Sequence, residues 1–438
     1  MKPIVAIVGR PNVGKSTLFN RLLGRRKAIV HDEPGVTRDL NFADMEEFGK
    51  TFTLVDTGGF ESVTEDKIMV QVREQTRLAI EESDLIVFVM DGRTGPTADD
   101  LELVRILRKS SKPVIYAVNK LDTGRLDSSL ADFYSVGAAT LIPVSAEHGR
   151  GLNELVDAVV EGLPEPVGEE EAEAPDRVRV AIVGRPNVGK SSLLNRILGQ
   201  DRAIVSDVAG TTRDAVDTAF ERGPKKYLFI DTAGIRKKNR VSLTVEAYSV
   251  MEAIKTIERS DVVLLVLDGK LGVQGQDEKI AGLIDDRSRC CVVMVNKWDL
   301  VEKDTHTVEY ATERIRAKLP FLSYAPVLFT SALTGQRVPK VLDTVDALVE
   351  KSRTRITTSN LNGVFDSIKN RHHPPAYRGR EIKFYYITQS GISPPTFVVF
   401  TNWPEGIDEP YRRYVVNSLR ESLGLDTVPI KVLYRKRQ

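Results

Sequence analysis

The sequence predicts an α/β fold in which two tandem P-loop domains, each a mostly parallel sheet flanked by helices, precede a smaller α+β domain. First, the stretch Val5–Gly24 recurs as Val180–Gly199 with substitutions at only three positions, namely Thr17, Phe19 and Leu22 of the first copy. Second, each copy contains G-x-x-x-x-G-K-S between an apolar run and a helical pattern, the arrangement of a phosphate-binding loop. Third, the last segment has a different order of elements, namely helix, strand, strand, helix, strand.

The phosphate-binding loops are expected between a buried strand and the start of a helix. Ile4–Val8 is an apolar run that predicts a strand, and the helix is expected to start at Lys15. The glycines allow a tight turn whose backbone N–H groups face phosphate oxygens at the positive end of the helix. The lysine would reach the β- and γ-phosphates, and the serine after it would ligate Mg²⁺. The predicted loop residues are Gly9, Arg10, Pro11, Asn12, Val13, Gly14, Lys15, Ser16 and Thr17, and in the second copy Gly184, Arg185, Pro186, Asn187, Val188, Gly189, Lys190, Ser191 and Ser192.

Three further motifs follow each loop in the same order. The carboxylate of D-x-x-G can hold Mg²⁺ through water, and its last glycine can offer an N–H to the γ-phosphate. The aspartate of N-K-x-D can accept hydrogen bonds from two neighbouring donors of guanine, a pair that adenine lacks. A Ser-Ala pair after a further strand could offer a backbone N–H to guanine O6. These residues are Asp56, Thr57, Gly58, Gly59, Asn119, Lys120, Asp122, Ser145 and Ala146, and in the second copy Asp231, Thr232, Ala233, Gly234, Asn296, Lys297, Asp299, Ser331 and Ala332.

Four ordered motifs that occur twice predict two guanine-nucleotide sites that take GTP or GDP with Mg²⁺. Thr37 and Thr212 stand at matching positions before D-x-x-G and are predicted to ligate Mg²⁺ when the γ-phosphate is present. The predicted Mg²⁺ ligands are therefore Ser16, Thr37, Asp56, Ser191, Thr212 and Asp231.

Hydrolysis of GTP would have to proceed without the usual glutamine. Many G proteins place a glutamine just after D-x-x-G to orient water, but the corresponding residues here are Phe60 and Ile235. The amide oxygens of Asn12 and Asn187 could instead ligate a monovalent cation beside the phosphates and supply positive charge. The alternative is that both asparagines only shape the loop. The predicted catalytic residues are Asn12, Lys15, Thr37, Gly59, Asn187, Lys190, Thr212 and Gly234.

Composition divides the chain into residues 1–163, 164–176, 177–351 and 352–438. The segment 164–176 contains six acidic residues, three prolines and no basic residue, which predicts a flexible linker. A competing interpretation is that it mimics RNA by covering a basic surface. The segment 352–438 contains fourteen Lys or Arg against seven Asp or Glu, whereas the whole chain has a net charge of only +1. Its basic surface could bind RNA phosphate, or it could dock on the acidic remainder of the chain.

The remaining composition predicts a protein of a reducing compartment without a membrane segment. No apolar run approaches the roughly 20 residues that a transmembrane helix needs. The cysteines are the neighbours Cys290 and Cys291, which we interpret as reduced residues of the core.

Each repeat resembles the Era-like GTPases, and the whole chain resembles the bacterial double Era-like GTPases that assist ribosome assembly. The resemblance implies hydrolysis of GTP to GDP and phosphate, a role in maturation of the large ribosomal subunit, and binding to the ribosome or its rRNA. Related GTPases with the same loop asparagine use potassium, which implies K⁺ at Asn12 and Asn187. It also implies a KH-like last domain without the G-x-x-G loop, which agrees with the absence of that string after residue 352. We expect a cytoplasmic monomer with no membrane partner.

Two other classes of protein share some of these motifs. A G protein of tRNA modification or membrane traffic would also carry a modification domain or a membrane anchor, and neither is visible in the sequence. A P-loop metabolic kinase would not need N-K-x-D. An assembly factor switched by GTP therefore fits the sequence best.

Overall fold

The computed structural model describes residues 2–25, 42–57, 73, 76–77, 79–80, 82–121, 130–138, 140–164, 177–199, 204–209, 216–232, 253–302, 304–374 and 376–437. These residues form two compact units, one that contains the described residues up to 164 and one that contains those from 177 onward. Apart from Pro164, the predicted linker lies outside the described residues.

The first unit contains one twisted sheet with helices against it. Its described strands are β1 (Ile4–Val8), β2 (Phe42–Glu47), β3 (Lys50–Asp56), β4 (Leu85–Asp91), β5 (Val114–Asn119) and β6 (Leu141–Pro143). Its described helices include α1 (Lys15–Arg25), α2 (Ala98–Arg108) and α3 (Leu152–Gly162). The strand order is β2-β3-β1-β4-β5-β6, and every neighbouring pair except β2 with β3 is parallel. The chain continues from β1 to β3 on one side of β1 and then from β3 to β4 on the other side, so the strand order reverses at β1. The carboxyl end of β1 therefore borders the crevice where sheets of this kind bind ligands.

The second repeat has the same topology with one added strand. Its described strands are β7 (Arg177–Val183), β8 (Ile204–Ala209), β9 (Val216–Arg222), β10 (Lys225–Phe229), β11 (Val262–Asp268), β12 (Cys290–Asn296) and β13 (Val327–Phe329). Its described helices include α4 (Lys190–Leu198), α5 (Gly275–Asp286), α6 (Thr307–Lys318) and α7 (Pro339–Ser352). The order is β13-β12-β11-β7-β10-β9-β8, so β7 lies between β10 and β11 as β1 lies between β3 and β4. The predicted pair of similar, mostly parallel sheets is confirmed.

The last segment folds as the predicted α+β domain. It contains α8 (Thr358–Arg371), β14 (Phe384–Gly391), β15 (Thr396–Thr401), α9 (Glu409–Ser422) and β16 (Lys431–Lys436). β15 is the central strand, antiparallel to β14 and parallel to β16. The predicted order of helices and strands is confirmed.

Burial explains why these segments form these elements. Every residue of β4, β11 and β12 is buried, as expected for continuous apolar strands covered by helices on both faces. Cys290 and Cys291 in β12 are both buried and free, which fits their interpretation as reduced core residues. Within the described ranges, no helix combines the length and apolar character needed to cross a bilayer.

The second repeat and the last domain share one hydrophobic core. Val345 and Leu348 of α7 belong to the same buried cluster as Leu361 and Phe365 of α8. This core explains why the two domains form a single compact unit.

Candidate nucleotide-binding sites

The lysine of each phosphate-binding loop is bound to backbone oxygens of its own loop. Lys15 is only 4% exposed and donates from Nζ to the carbonyl oxygens of Gly9 at 3.0 Å and Arg10 at 2.9 Å. Lys190 makes the matching two bonds in the second repeat at 2.6 and 2.8 Å. Both ammonium groups therefore lie inside the curve of the loop, where phosphate oxygens would bind. All nine predicted residues of each loop lie among the residues that the structure describes, including Pro11, Val13, Thr17, Pro186, Val188 and Ser192.

The second glycine of each loop is required by backbone conformation and by close packing. Gly14 has φ +91° and Gly189 has φ +100°, a region that other residues rarely adopt. A Cβ at these positions would lie 2.5 Å from Nδ2 of Asn119 and 2.3 Å from Nδ2 of Asn296. The loop backbone can thus approach the asparagine of N-K-x-D only where no side chain intervenes.

That asparagine connects the phosphate-binding loop with the loop that begins at the Ser-Ala pair, which we call the Ser-Ala loop (residues 145–150 and 331–336). Asn119 donates from Nδ2 to the carbonyl oxygen of Val13 at 2.9 Å, and its Oδ1 accepts from the backbone N–H of Ala146 at 3.0 Å. Asn296 makes both corresponding bonds at the same distances. The alanine N–H of each Ser-Ala pair therefore donates to the asparagine in this structure. Ser145 and Ser331 are both fully buried.

The lysine of N-K-x-D is held by an aspartate that lies outside the predicted motifs. Lys120 lies 2.7 Å from Oδ2 of Asp91 at the end of β4, and Lys297 lies 2.7 Å from Oδ2 of Asp268 at the end of β11. Burial alone would raise the pKa of each aspartate, but its lysine and nearby backbone N–H groups outweigh burial and leave the pKa lowered. An aspartate at the same place in both repeats was the available sequence signal.

Two of the predicted Mg²⁺ ligands are in contact in the first repeat. The Oγ of Ser16 donates to Oδ2 of Asp56 at 2.6 Å, so both oxygens can face one cation. The second repeat differs, because Asp231 has φ +52° and its backbone N–H donates to Oδ1 of Asp217 at 2.9 Å. Asp217 is buried and also pairs with Arg259. No motif of the sequence predicts this contact.

The arginine of each phosphate-binding loop pairs with a fully buried aspartate. Nε of Arg10 lies 3.3 Å from Oδ2 of Asp100, and Nε of Arg185 lies 2.8 Å from Oδ2 of Asp277. Both aspartates are 0% exposed, and burial raises the pKa of Asp277 although Arg185 acts in the opposite direction. Each aspartate also accepts from a backbone N–H at the start of its helix, α2 or α5. The two loop arginines are therefore directed at the protein core.

The aspartate of the second N-K-x-D motif follows a packed aromatic residue. Asp299 lies in the short 3-10 turn Trp298–Leu300. Trp298 is buried, and its ring centroid is 4.4 Å from that of Phe329 at the end of β13. This packing fixes the turn next to the Ser-Ala loop.

Thr232, beside Asp231, is fully buried and its hydroxyl contacts that of Thr218 at 2.8 Å.

Several predicted site residues lie outside the described residues, and so do the two residues that replace the usual glutamine. They are Thr37, Gly58, Gly59, Asp122, Thr212, Ala233 and Gly234, together with Phe60 and Ile235.

Comparison with protein-family models matches three segments of the chain. Residues 4–120 and 179–297 match the family described as 50S ribosome-binding GTPase. Residues 355–435 match the KH-domain-like C-terminal domain of EngA bacterial GTPase enzymes. The two family descriptions agree with the predicted order of two GTPase domains and a KH-like domain.

Curated relatives match over the full chain. The protein GTPase Der of Geotalea daltonii is 49% identical over 441 residues, which cover 100% of this chain and 99% of the relative. GTPase Der of Moorella thermoacetica is 51% identical over 436 residues, with 99% of both chains covered. Among solved structures, Era in complex with MgGDPNP and nucleotides 1506–1542 of 16S ribosomal RNA is 22% identical, with a TM-score of 0.31. That match covers 60% of this chain and 94% of the other.

Proposed function

The chain belongs to the Der family of bacterial GTPases, and from that premise we propose that it uses GTP hydrolysis to control a step in assembly of the large ribosomal subunit. The observation that carries this proposal is the match of both repeats to a family described as 50S ribosome-binding GTPase. Two similar nucleotide sites and a basic last domain in one chain agree with a switch that binds RNA.

Different described residues of the two sites would bind the phosphates, the metal ion and the base. Lys15 and Lys190 would exchange their bonds to loop carbonyls for bonds to the β- and γ-phosphates, at little cost in desolvation because both are already partly enclosed. Ser16 and Asp56 have the hard oxygen ligands that Mg²⁺ prefers, and they already lie in contact. When bound, Mg²⁺ would neutralise charge that develops on the transferred phosphoryl group. Asp299 would accept hydrogen bonds from guanine.

The C-terminal domain has an open sheet face suited to RNA. Tyr386 of β14, Phe400 of β15 and Arg435 of β16 are neighbours across the three strands. The rings of Tyr386 and Phe400 stack with centroids 4.4 Å apart and planes at 20°, and Tyr386 is 41% exposed. The strands contain no acidic residue, and Lys431 is exposed on the same face. Exposed rings beside cations are the usual means of binding single-stranded RNA, and they do not require a G-x-x-G loop.

Co-sedimentation with separated ribosomal subunits tests the proposal. We expect the full-length protein in KCl to bind the large subunit with a non-hydrolysable GTP analogue and to bind weakly with GDP. The double variant Tyr386→Ala/Arg435→Ala should weaken binding about tenfold, because base stacking contributes about 1–3 kcal/mol per base. Tyr310→Ala, which removes an even more exposed tyrosine of α6, serves as the control. The absence of binding to either subunit in every nucleotide state would refute the ribosomal role.

We further propose that potassium stimulates hydrolysis at both sites. Asn12 has φ +64° and Asn187 has φ +63°, and both are exposed at the same turn of their loops. Arg10 and Arg185 of the same loops are bound to Asp100 and Asp277, so a monovalent cation, rather than either arginine, would supply the positive charge near the phosphates that the lysine and Mg²⁺ do not.

Rates of GTP hydrolysis in KCl and in NaCl test the role of potassium. Full-length Lys15→Ala and Lys190→Ala variants each leave one site to be measured. We expect faster turnover in KCl at each site, and loss of that difference in Asn12→Ala or Asn187→Ala at the corresponding site. Asn195→Ala, on the exposed side of α4, should keep the difference. Equal rates in both salts would contradict the proposal.

A further inference from the structure

One arginine in the helix after each phosphate-binding loop binds two consecutive carbonyl groups of the Ser-Ala loop. Arg21 of α1 donates from Nε to the carbonyl oxygen of Ala146 at 2.9 Å, and its Nη2 donates to that of Glu147. Arg196 of α4 makes the same pair of bonds with Ala332, also at 2.9 Å, and Leu333. The contact therefore occurs twice in the molecule, between segments more than a hundred residues apart.

The guanidinium group is suited to this contact in a way that other cations are not. Its planar fork presents two N–H groups in a fixed geometry, so that binding two successive carbonyls fixes the orientation of the peptide between them. Gly335 of the same loop has φ +81°, and a Cβ there would lie 3.8 Å from the guanidinium carbon of Arg196. The arginine thus packs over the loop at its left-handed turn.

The loop held in this way follows a short strand at the edge of the sheet. Among the described strands, β6 and β13 each have three residues and pair with a neighbour on one side only. Edge segments of this kind have few backbone partners and open readily. Asn119 and Asn296 hold the N–H of the alanine, and the arginine holds its carbonyl. The N–H and the carbonyl of the alanine are therefore both held by side chains, one from the N-K-x-D motif and one from the helix that follows the phosphate-binding loop.

We propose that Arg21 and Arg196 are positioning residues for the guanine base, each holding the Ser-Ala loop of its repeat in the conformation that receives the base. The helix that carries each arginine begins at the phosphate-binding lysine, so one rigid element links the two ends of the bound nucleotide. This inference rests on the assignment of the Ser-Ala loops to the base in the proposed function.

The expected effect is a change in nucleotide affinity without a change in the chemical step. The base is bound equally in the ground state and the transition state, so a poorly held base loop weakens binding of GTP and GDP in parallel. Arg196→Ala should raise the KM for GTP and the Kd for GDP about tenfold, as expected for hydrogen bonds from a charged donor. The kcat should stay within about twofold of the parent.

Steady-state kinetics and GDP binding of the full-length Lys15→Ala variant, which reports the second site, test this inference. In that background, Arg196→Lys should recover only part of the affinity, because an ammonium group cannot bind both carbonyls in the same geometry. Asn195→Ala, which removes the neighbouring exposed side chain of α4, is the matched control and should leave KM unchanged. Arg196 is exposed, so the thermal midpoint should also stay unchanged.

Three results would overturn the inference. The first is an unchanged KM and Kd in Arg196→Ala while the parent binds GTP normally. The second is a fall in kcat at constant KM, which would place Arg196 in the chemical step. The third is a fall in thermal midpoint that accounts for the lost affinity and is matched by Arg196→Lys. If the parent itself binds no GTP at the second site, the proposed function fails together with the inference.

Discussion

At the scale of single residues, the asparagine of N-K-x-D contributes directly to the architecture of the site. Asn296 is 2% exposed and satisfies a buried carbonyl of one loop and a buried N–H of another. Buried polar groups that lose their partner cost about 1–3 kcal/mol each. The side chain therefore holds two loops at a fixed separation, into which the nucleotide has to fit.

Replacement of this asparagine should destabilise the fold as well as weaken binding. Asn296→Ala leaves the carbonyl oxygen of Val188 and the N–H of Ala332 without their partner, and we expect a loss of about 2–4 kcal/mol. Urea unfolding without nucleotide, followed by tryptophan fluorescence, measures this loss. Asn195→Ala removes an exposed amide of the same repeat and should change stability by less than about 0.5 kcal/mol. Similar losses in the two variants would contradict the prediction.

At the scale of elements, the strands that carry the motifs are buried on both faces, and this burial determines the chemistry of their side chains. Cys290 and Cys291 are successive residues of β12, so they point to opposite faces of the sheet. Both are nevertheless buried, because helices cover both faces. Burial raises the pKa of the Cys290 thiol to about 12 and also raises that of Cys291.

These raised pKa values predict that the second repeat loses stability at alkaline pH. A thiol in the unfolded chain ionises near pH 8.5, whereas the folded thiols stay protonated, so their contribution is complete below that pH. It should then decline, by about 1.4 kcal/mol per thiol per pH unit, as pH rises from about 9 toward 12. Urea unfolding at pH 8 and pH 10 measures this decline, and Cys291→Ala should reduce the slope. An identical slope in the variant would count against burial of the thiol as the cause.

The order of helices and strands follows from local sequence patterns, whereas contacts between distant strands do not. The helix and strand order of the last segment and the repeated sheets were predicted from apolar runs and turn residues, because those patterns are local. The added strand β8 and the burial of Asp217 beside Asp231 were not predicted, because each depends on a partner from another strand. The proposed domain boundaries near residues 163, 177 and 352 stay predictions.

At the scale of the whole molecule, the second repeat and the KH-like domain share one core. The guanidinium of Arg420 in α9 lies 4.6 Å from the ring centroid of Tyr324 in the second repeat. Lys351 of α7 also pairs with Asp426 beyond α9. With the shared cluster of buried side chains, these contacts predict that the two domains unfold together.

The two tryptophans of the chain allow this prediction to be measured. Trp298 lies in the second repeat and Trp403 in the KH-like domain, so Trp403→Phe and Trp298→Phe each leave one reporter. We expect both variants to show the same urea midpoint after correction for the substitution itself. Adding Phe365→Ala, which removes a fully buried ring of α8, should lower the free energy of unfolding reported by either tryptophan by about 3–5 kcal/mol and shift both urea midpoints downward. A shift seen only by Trp403 would mean that the domains unfold independently.

The sequence by itself determined the tandem α/β fold and which residues make up each motif, because strands, helix starts and loop glycines depend on neighbouring residues. Only the tertiary structure decided what holds the motifs in place. Asp100 and Asp277 lie about ninety residues from the arginines they bind, and Arg21 binds a loop that follows the last strand of its sheet. No local period or spacing encodes such pairs, since they are created when parallel strands bring the ends of distant segments to the same edge of the sheet.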